Sequence, residues 1–195
     1  MEVIPDRFRF IHSLKKMRRP KVGLILLIAA LILACTAISK FTPDQKAEFE
    51  QEITKLNTPE KINQWLYLNF NYDYALYLRA LYAPTEQSLW NDYMKWPIET
   101  YFDRRGVCHD AANLAGYALV KAGYEVKIVT AREKRFGSHT VCAFKREGKW
   151  WVCADTRYFL MINGPFNNIK EVALHIVKNE KDNLKEYFLT RRKGF

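Results

Sequence analysis

Apolar positions along residues 42–70 recur at helical spacing behind two clear start signals. Thr42-Pro43-Asp44-Gln45 offers an N-cap threonine, a proline at the first helical position and a glutamine at the reciprocal capping position. Thr58-Pro59-Glu60 repeats the device and opens a segment with Ile62, Trp65, Leu66 and Asn69-Phe70 on one side. Asn57 and Pro59 separate the two helices. Residues 65–102 are dense in aromatic side chains, and Pro84 and Pro97 break that stretch into short pieces. Most of these rings read as packing between helices, with one or two left to line a cleft. A helix is predicted over 108–122, with Cys108, Ala112, Ala115, Leu119 and Ala122 on one face and Gly123 as its stop. Small residues on that face let the helix lie close against a sheet. The pattern then changes period. Tyr124–Thr130 alternates as a strand, and a basic loop, Arg132–Gly137, leads to strands His139–Lys145 and Trp150–Asp155, joined through R-E-G-K. The tail predicts a turn at 164–168, a helix through Ile169, Val172, Leu174 and Ile176, and a last helix from Asp182 to Leu189.

The first 34 residues follow a different logic. Met17-Arg18-Arg19-Pro20-Lys21 is a basic n-region, and residues 22–34 are an uncharged apolar run. Thirteen residues suit a signal h-region better than a spanning helix, which needs roughly 20 apolar residues. The run ends in Ile32-Leu33-Ala34-Cys35, which resembles a bacterial lipoprotein signal, with Cys35 as the lipid-attachment site. Leu33 departs from the small residue usual at its position. Extension of the apolar run through Ile38 gives an uncleaved anchor instead, and a plain cleaved signal is the third reading. All three export the domain and leave it facing the periplasm or cell exterior. A start at Met17 would give a signal of ordinary proportions.

Charge adds little beyond this. The chain carries +10 overall, but residues 1–34 hold seven Lys/Arg against two Asp/Glu, so the remainder is only mildly basic, at about +5. No Arg-rich recognition helix is present, so nucleic acid is not the expected partner.

The candidate chemistry lies in three stretches: R-R-G-V-C-H-D at 104–110, G-S-H-T-V-C-A-F at 137–144 and W-W-V-C-A-D-T at 150–156. They supply Cys108, His139 and Asp155 in the roles of nucleophile, base and orienting carboxylate. Cys108 at a helix start gains thiolate character from unpaired amides and the dipole. His109 is adjacent to Cys108 but points about 100° away on a helix, and Asp110 reads as structural. A zinc site from Cys108, His139, Cys142 and Cys153 lacks close paired spacing. The reading calls for no metal and no cofactor.

Hairpin register tests the dyad. A three-residue loop, Arg146-Glu147-Gly148, places Lys145 opposite Lys149 and His139 opposite Asp155, and sends Cys142 and Cys153 to opposite faces. A two-residue loop, Glu147-Gly148, faces Cys142 against Cys153 and separates His139 from Asp155. The three-residue loop is the expectation, because Gly148 suits its left-handed position.

Stretch 96–156 resembles the transglutaminase-like, papain-related cysteine peptidase superfamily. Trp96-Pro97-Ile98-Glu99 resembles its upstream W-x-x-P-x-E element. Arg105-Gly106-Val107-Cys108-His109-Asp110-Ala111 matches the nucleophile motif, Ala122-Gly123-Tyr124 the step into a strand, and Trp151 with Asp155-Thr156 the aspartate element. The resemblance implies an α+β fold with the nucleophile helix packed on an antiparallel sheet and helices N- and C-terminal to it. With the N-terminal signal, it divides the chain into a signal sequence (1–34), a tether and first helix (35–57) and a transglutaminase-like domain (58–195). It implies a membrane-tethered thiol enzyme acting on peptide or glutamine amide bonds of an envelope protein or peptide, with hydrolysis as peptidase or amidase favoured. The alternatives are a cross-linking transglutaminase and a catalytically silent binding module. Three departures stand out. Val107 and His109 flank the cysteine where calcium-binding members carry acidic residues, Val141 stands where tryptophan is common, and the interval from Cys108 to His139 is short.

Overall fold

A computed structural model of the chain describes residues 40–81, 94–133, 137–177 and 184–189. The chain divides into two units, 1–43 and 44–195. Of the first, only residues 40–43 are described, so the signal, Cys35 and Met17 readings lie outside the described residues. No helix among the described residues is long and apolar enough to cross a membrane.

Helices α1 (Pro43–Lys55) and α2 (Pro59–Asn69) begin where the Thr-Pro signals place them. Thr58 Oγ1 accepts the Lys61 N–H at 3.3 Å, closing the first turn of α2. A two-residue strand β1 (Asn71–Tyr72) follows, then α3 (Tyr74–Leu81), α4 (Pro97–Asp103) and a second short strand, β2 (Arg105–Gly106). β1 and β2 pair in parallel, with Tyr72 opposite Gly106. Helix α5 is Cys108–Lys121. Strands β3 (Val126–Glu133), β4 (Gly137–Arg146), β5 (Lys149–Cys153), β6 (Asn163–Phe166) and β7 (Leu184–Leu189) form one sheet in the order β6-β5-β4-β3-β7, with α6 (Ile169–Ile176) between its last two strands in sequence. Every neighbouring pair in that sheet is antiparallel.

Alternation along the strands builds two cores. Val126, Ile128, Cys142, Phe144 and Cys153 meet α1, α2 and α5 through Phe49, Ile53, Ile62, Leu66 and the alanine face of α5. On the opposite face, Val129, Ala131, Val141, Ala143, Trp150 and Val152 meet Val172, Ala173 and Ile176 of α6. Ala111, Ala112, Ala115 and Ala118 are all buried, so α5 lies close to the sheet as its composition predicts. Ring contacts support packing for several of the described aromatics, with Trp65 stacked on Tyr101 at 5.4 Å and Phe49 on Tyr117 at 5.5 Å, whereas Tyr67, Tyr74 and Trp96 are exposed.

Two expectations are corrected. The segment expected as a last helix from Asp182 is strand β7, which pairs with the free side of β3. Its short pattern fits either period, and the open ladder of β3 decides in favour of strand. The β4–β5 loop has two residues, not three. Arg146 faces Lys149, and Glu147 and Gly148 both take left-handed conformations, at φ 52° and 74°. Two consecutive positive-φ residues make the turn whose twist matches the flanking strands.

Candidate active site

The turn before α5 is built around Asp110. Its carboxylate accepts the Val107 N–H at 2.9 Å and the Lys95 N–H at 2.8 Å, and is fully buried. Gly106 exists for this contact: a Cβ there would stand 2.6 Å from Asp110 Oδ2. Arg105 pairs with Asp73, Nε to Oδ2 at 2.9 Å and Nη2 to Oδ1 at 3.1 Å. Asp73 in turn accepts the Leu76 N–H at 2.9 Å, holding the start of α3. This bracing, with the β1–β2 pairing, sets Cys108 at the first position of α5 and brings Tyr72 into hydrogen-bonding contact with it. In the upstream element, Glu99 accepts the Trp96 N–H at 2.7 Å and so closes the start of α4.

His139 enters from β4. Its Nε2–H donates to Asp155 Oδ1 at 2.9 Å, and its ring is in hydrogen-bonding contact with the Cys108 thiol. With Nε2 engaged by the carboxylate, Nδ1 is the nitrogen left for sulfur. The structure therefore brings Cys108, His139 and Asp155 into one chain of contacts.

It does so in the register expected to separate them. Regular continuation of β5 would place Asp155 opposite Thr140 and Thr156 opposite His139. Instead β5 ends at Cys153, and Ala154 adopts a left-handed conformation at φ 53°. That one residue breaks the alternation and turns Asp155 toward the imidazole. The turn is held from α2: Asn63 Oδ1 accepts the Ala154 N–H at 2.8 Å, and Asn63 Nδ2 donates to the Met161 carbonyl at 3.0 Å. The same register puts Cys142 directly opposite Cys153, and both are buried thiols. Dyad and facing cysteines thus coexist.

Three contributors escaped the sequence reading. Arg157 grips Asp155 through Nε at 3.0 Å and Nη2 at 2.8 Å, while its Nη1 donates to the Ile176 carbonyl at 2.7 Å. Thr140 hydrogen-bonds Cys108, and its hydroxyl lies 2.9 Å from that of Thr130. Asn63 is the third. An Asp-x-Arg spacing is a faint signal for the first; the other two carry none, because their partners are distant in sequence. His109 and Asp110 are buried in α5, and His175 packs its ring 5.2 Å from Phe166. His12, Lys134 and Arg135 lie outside the described residues, and Arg132 pairs with Glu186 at 2.5 Å.

The electrostatics follow from the contacts. Burial alone would depress the His139 pKa, but hydrogen bonds to Asp155 and Cys108 and their charges raise it to about 9. Burial pushes the Cys108 thiol up, but His139 and the Thr140 groups outweigh it and bring the thiol below its ordinary value. Burial likewise opposes ionisation of Asp155, and hydrogen bonds from His139 and Arg157 hold it well below the usual carboxylate range. Tyr72 is pushed far up by burial and by the charge of Cys108, so its hydroxyl stays protonated. The shifts move Cys108 toward thiolate and His139 toward imidazolium, with a fixed carboxylate behind the ring. Among the described residues, no group of three or more His, Cys, Asp and Glu side chains is placed to hold a metal ion.

The solved structures that resemble the chain include the following two. Calcium-bound LapG of Legionella pneumophila is 19% identical over 86% of this chain and 90% of its own, with a TM-score of 0.45. A protein described as a TGase is 13% identical over 66% of this chain, with a TM-score of 0.45, and this chain spans only 37% of its length. No curated protein matches the chain. The family model described as "Transglutaminase-like domain" matches residues 46–185, from within α1 into β7 and across every residue of the site. The chain belongs to the transglutaminase-like domain family.

Proposed function

We propose that the protein is a thiol enzyme that cleaves amide bonds through a Cys108 thioester. The observation that carries this reading is the contact chain from Cys108 through His139 to the buried Asp155 at the start of α5. Cys108 thiolate attacks the amide carbonyl carbon, and the amides of the first turn of α5 stabilise the oxyanion. Imidazolium His139 gives its Nδ1 proton to the leaving nitrogen, and the C–N bond breaks. Neutral His139 then takes a proton from water, whose oxygen attacks the thioester, releasing a carboxylic acid and restoring the thiolate. Asp155 holds the proton on Nε2 throughout. The acyl acceptor is water, which makes the enzyme a peptidase or amidase.

The proposed setting is the cell envelope. Residues 1–34 direct export, Cys35 carries the lipid, residues 35–57 serve as tether and first helix, and 58–195 form the working domain. The substrate is then an envelope protein or peptide.

A thiol-reactive electrophile tests the chemistry. At mildly acidic pH, Cys108 is expected to alkylate far faster than Cys142 or Cys153; equal rates would overturn the thiolate–imidazolium reading. Substrate follows from comparing envelope proteomes with the wild type and Cys108→Ala, where new N-termini or deamidated sites depend on the thiol. Detergent-phase partitioning is expected to be lost in Cys35→Ser, and partitioning that survives removes the lipid anchor.

A further inference from the structure

Cys142 and Cys153 have no part in that chemistry, yet their placement is specific. They face each other directly across β4 and β5. Counting from the Arg146–Lys149 pair beside the two-residue loop, they fall on a hydrogen-bonded pair, for which Cα atoms stand about 5.5 Å apart. That is the usual separation across a disulfide. Both side chains point to the α5 face and both are wholly buried. The Cβ atoms of such a pair stand about 5.5 Å apart, against about 3.8 Å across a disulfide, so the two strands draw together locally as the sulfurs bond.

We infer that Cys142 and Cys153 are a disulfide site, closed when the chain folds in an oxidising compartment and open when it folds in a reducing one. The step is thiol–disulfide exchange with a small disulfide such as oxidised glutathione. One cysteine thiolate attacks a sulfur of the oxidant and releases a glutathione thiolate. The second cysteine, deprotonated, attacks the mixed disulfide and releases the other glutathione. Overall two thiols lose two protons and two electrons, and oxidised glutathione becomes two reduced molecules. Burial and the neighbouring sulfur push the Cys153 thiol well up, so the folded pair exchanges slowly. The bond therefore forms before the hairpin is covered by α5. Once formed it ties together strands that carry His139 three residues before Cys142 and Asp155 two residues after Cys153. Cys108 lies on α5, outside the β4–β5 hairpin that sets the two cysteines face to face, and is left out of the bridge.

The inference does not depend on the thioester reading, and the test keeps them apart. The full chain is unfolded, refolded with a mixture of reduced and oxidised glutathione, alkylated and digested with trypsin. Trypsin cuts after Lys145, Arg146 and Lys149, so a bridge would join the separate peptides 136–145 and 150–157. Those linked peptides are the expected product, with Cys108 recovered alkylated. Recovery of Cys142 and Cys153 as alkylated peptides, or linked to Cys35 or Cys108, overturns the inference. Melting gives a second readout. The oxidised protein is expected to melt roughly 5–10 °C above the reduced one, and Cys142→Ala/Cys153→Ala to show no redox dependence. A wild-type melting temperature that ignores redox state also overturns it.

Discussion

At Cys108 and His139, one hydrogen-bonded contact shifts two groups in opposite directions, and their effects on stability oppose each other. The folded pKa of His139, about 9, lies above its ordinary 6.5. Its contribution is full below 6.5 and is lost as pH rises through about 9. Cys108 lies below its ordinary 9.0, so its contribution grows as pH rises toward 9.0. The two nearly cancel in the wild type, since forming the ion pair moves a proton without binding or releasing one. In Cys108→Ser the histidine slope is unmasked, and denaturant stability is expected to decline from pH 6.5 upward. NMR titration of the His139 ring is expected to give a midpoint near 9 in the wild type, lower in Cys108→Ser and lower again when Asp155→Asn is added. Gly106 provides a purely steric case. Gly106→Ala puts a methyl into the Asp110 carboxylate and is expected to cost about 1–3 kcal/mol in urea unfolding. Alkylation of Cys108 should slow as the turn loses its brace.

At the scale of elements, the β4–β5 hairpin is where pattern reasoning failed and why. A glycine immediately before the next strand fits the third position of a bulged three-residue loop and also the second position of a two-residue turn. The choice falls to the twist of the strands and to packing on both sheet faces, where Cys142 and Phe144 must meet α5 while Val141 and Ala143 meet α6. Glu147 holds φ 52° with no special fitness for it. Asparagine tolerates that conformation better, so Glu147→Asn is expected to stabilise the protein by about 0.5 kcal/mol, read as a higher denaturation midpoint. The helices fared better. Thr-Pro starts, the alanine face of α5 and its Gly123 stop are local signals, and local geometry realises them. The final segment, read as helix, became β7 because β3 offered an unpaired ladder that no local signal reports.

For the molecule as a whole, the site depends on an arm from outside the sheet. Asn63 on α2 ties the backbone at Ala154 and Met161, and so holds the loop presenting Asp155 and Arg157. Asn63→Ala leaves the buried Ala154 N–H without that acceptor and is expected to cost about 1–3 kcal/mol in denaturant unfolding. Thiol reactivity should fall further than stability alone explains, because Asp155 loses its fixed approach to His139. Acid acts on the same assembly. Asp155 is held well below its ordinary 3.8, so its contribution is present above that value and is lost as pH falls below it.

Residue types and short spacings were enough to single out Cys108, His139 and Asp155 as candidates, to place the thiol at a helix start and to order the layers of an α+β domain. Such features are written locally, in caps, periodicity and one dense motif. The route by which Asp155 reaches His139 is not local. It needs a two-residue turn, a left-handed Ala154 and an asparagine 91 residues upstream in the chain. Arg157 and Thr140 join the site for the same reason: their contacts exist only once α6, β4 and α5 have packed. A strand's register and the direction in which it ends are settled by what both of its faces must bury, and that information resides in the assembled cores.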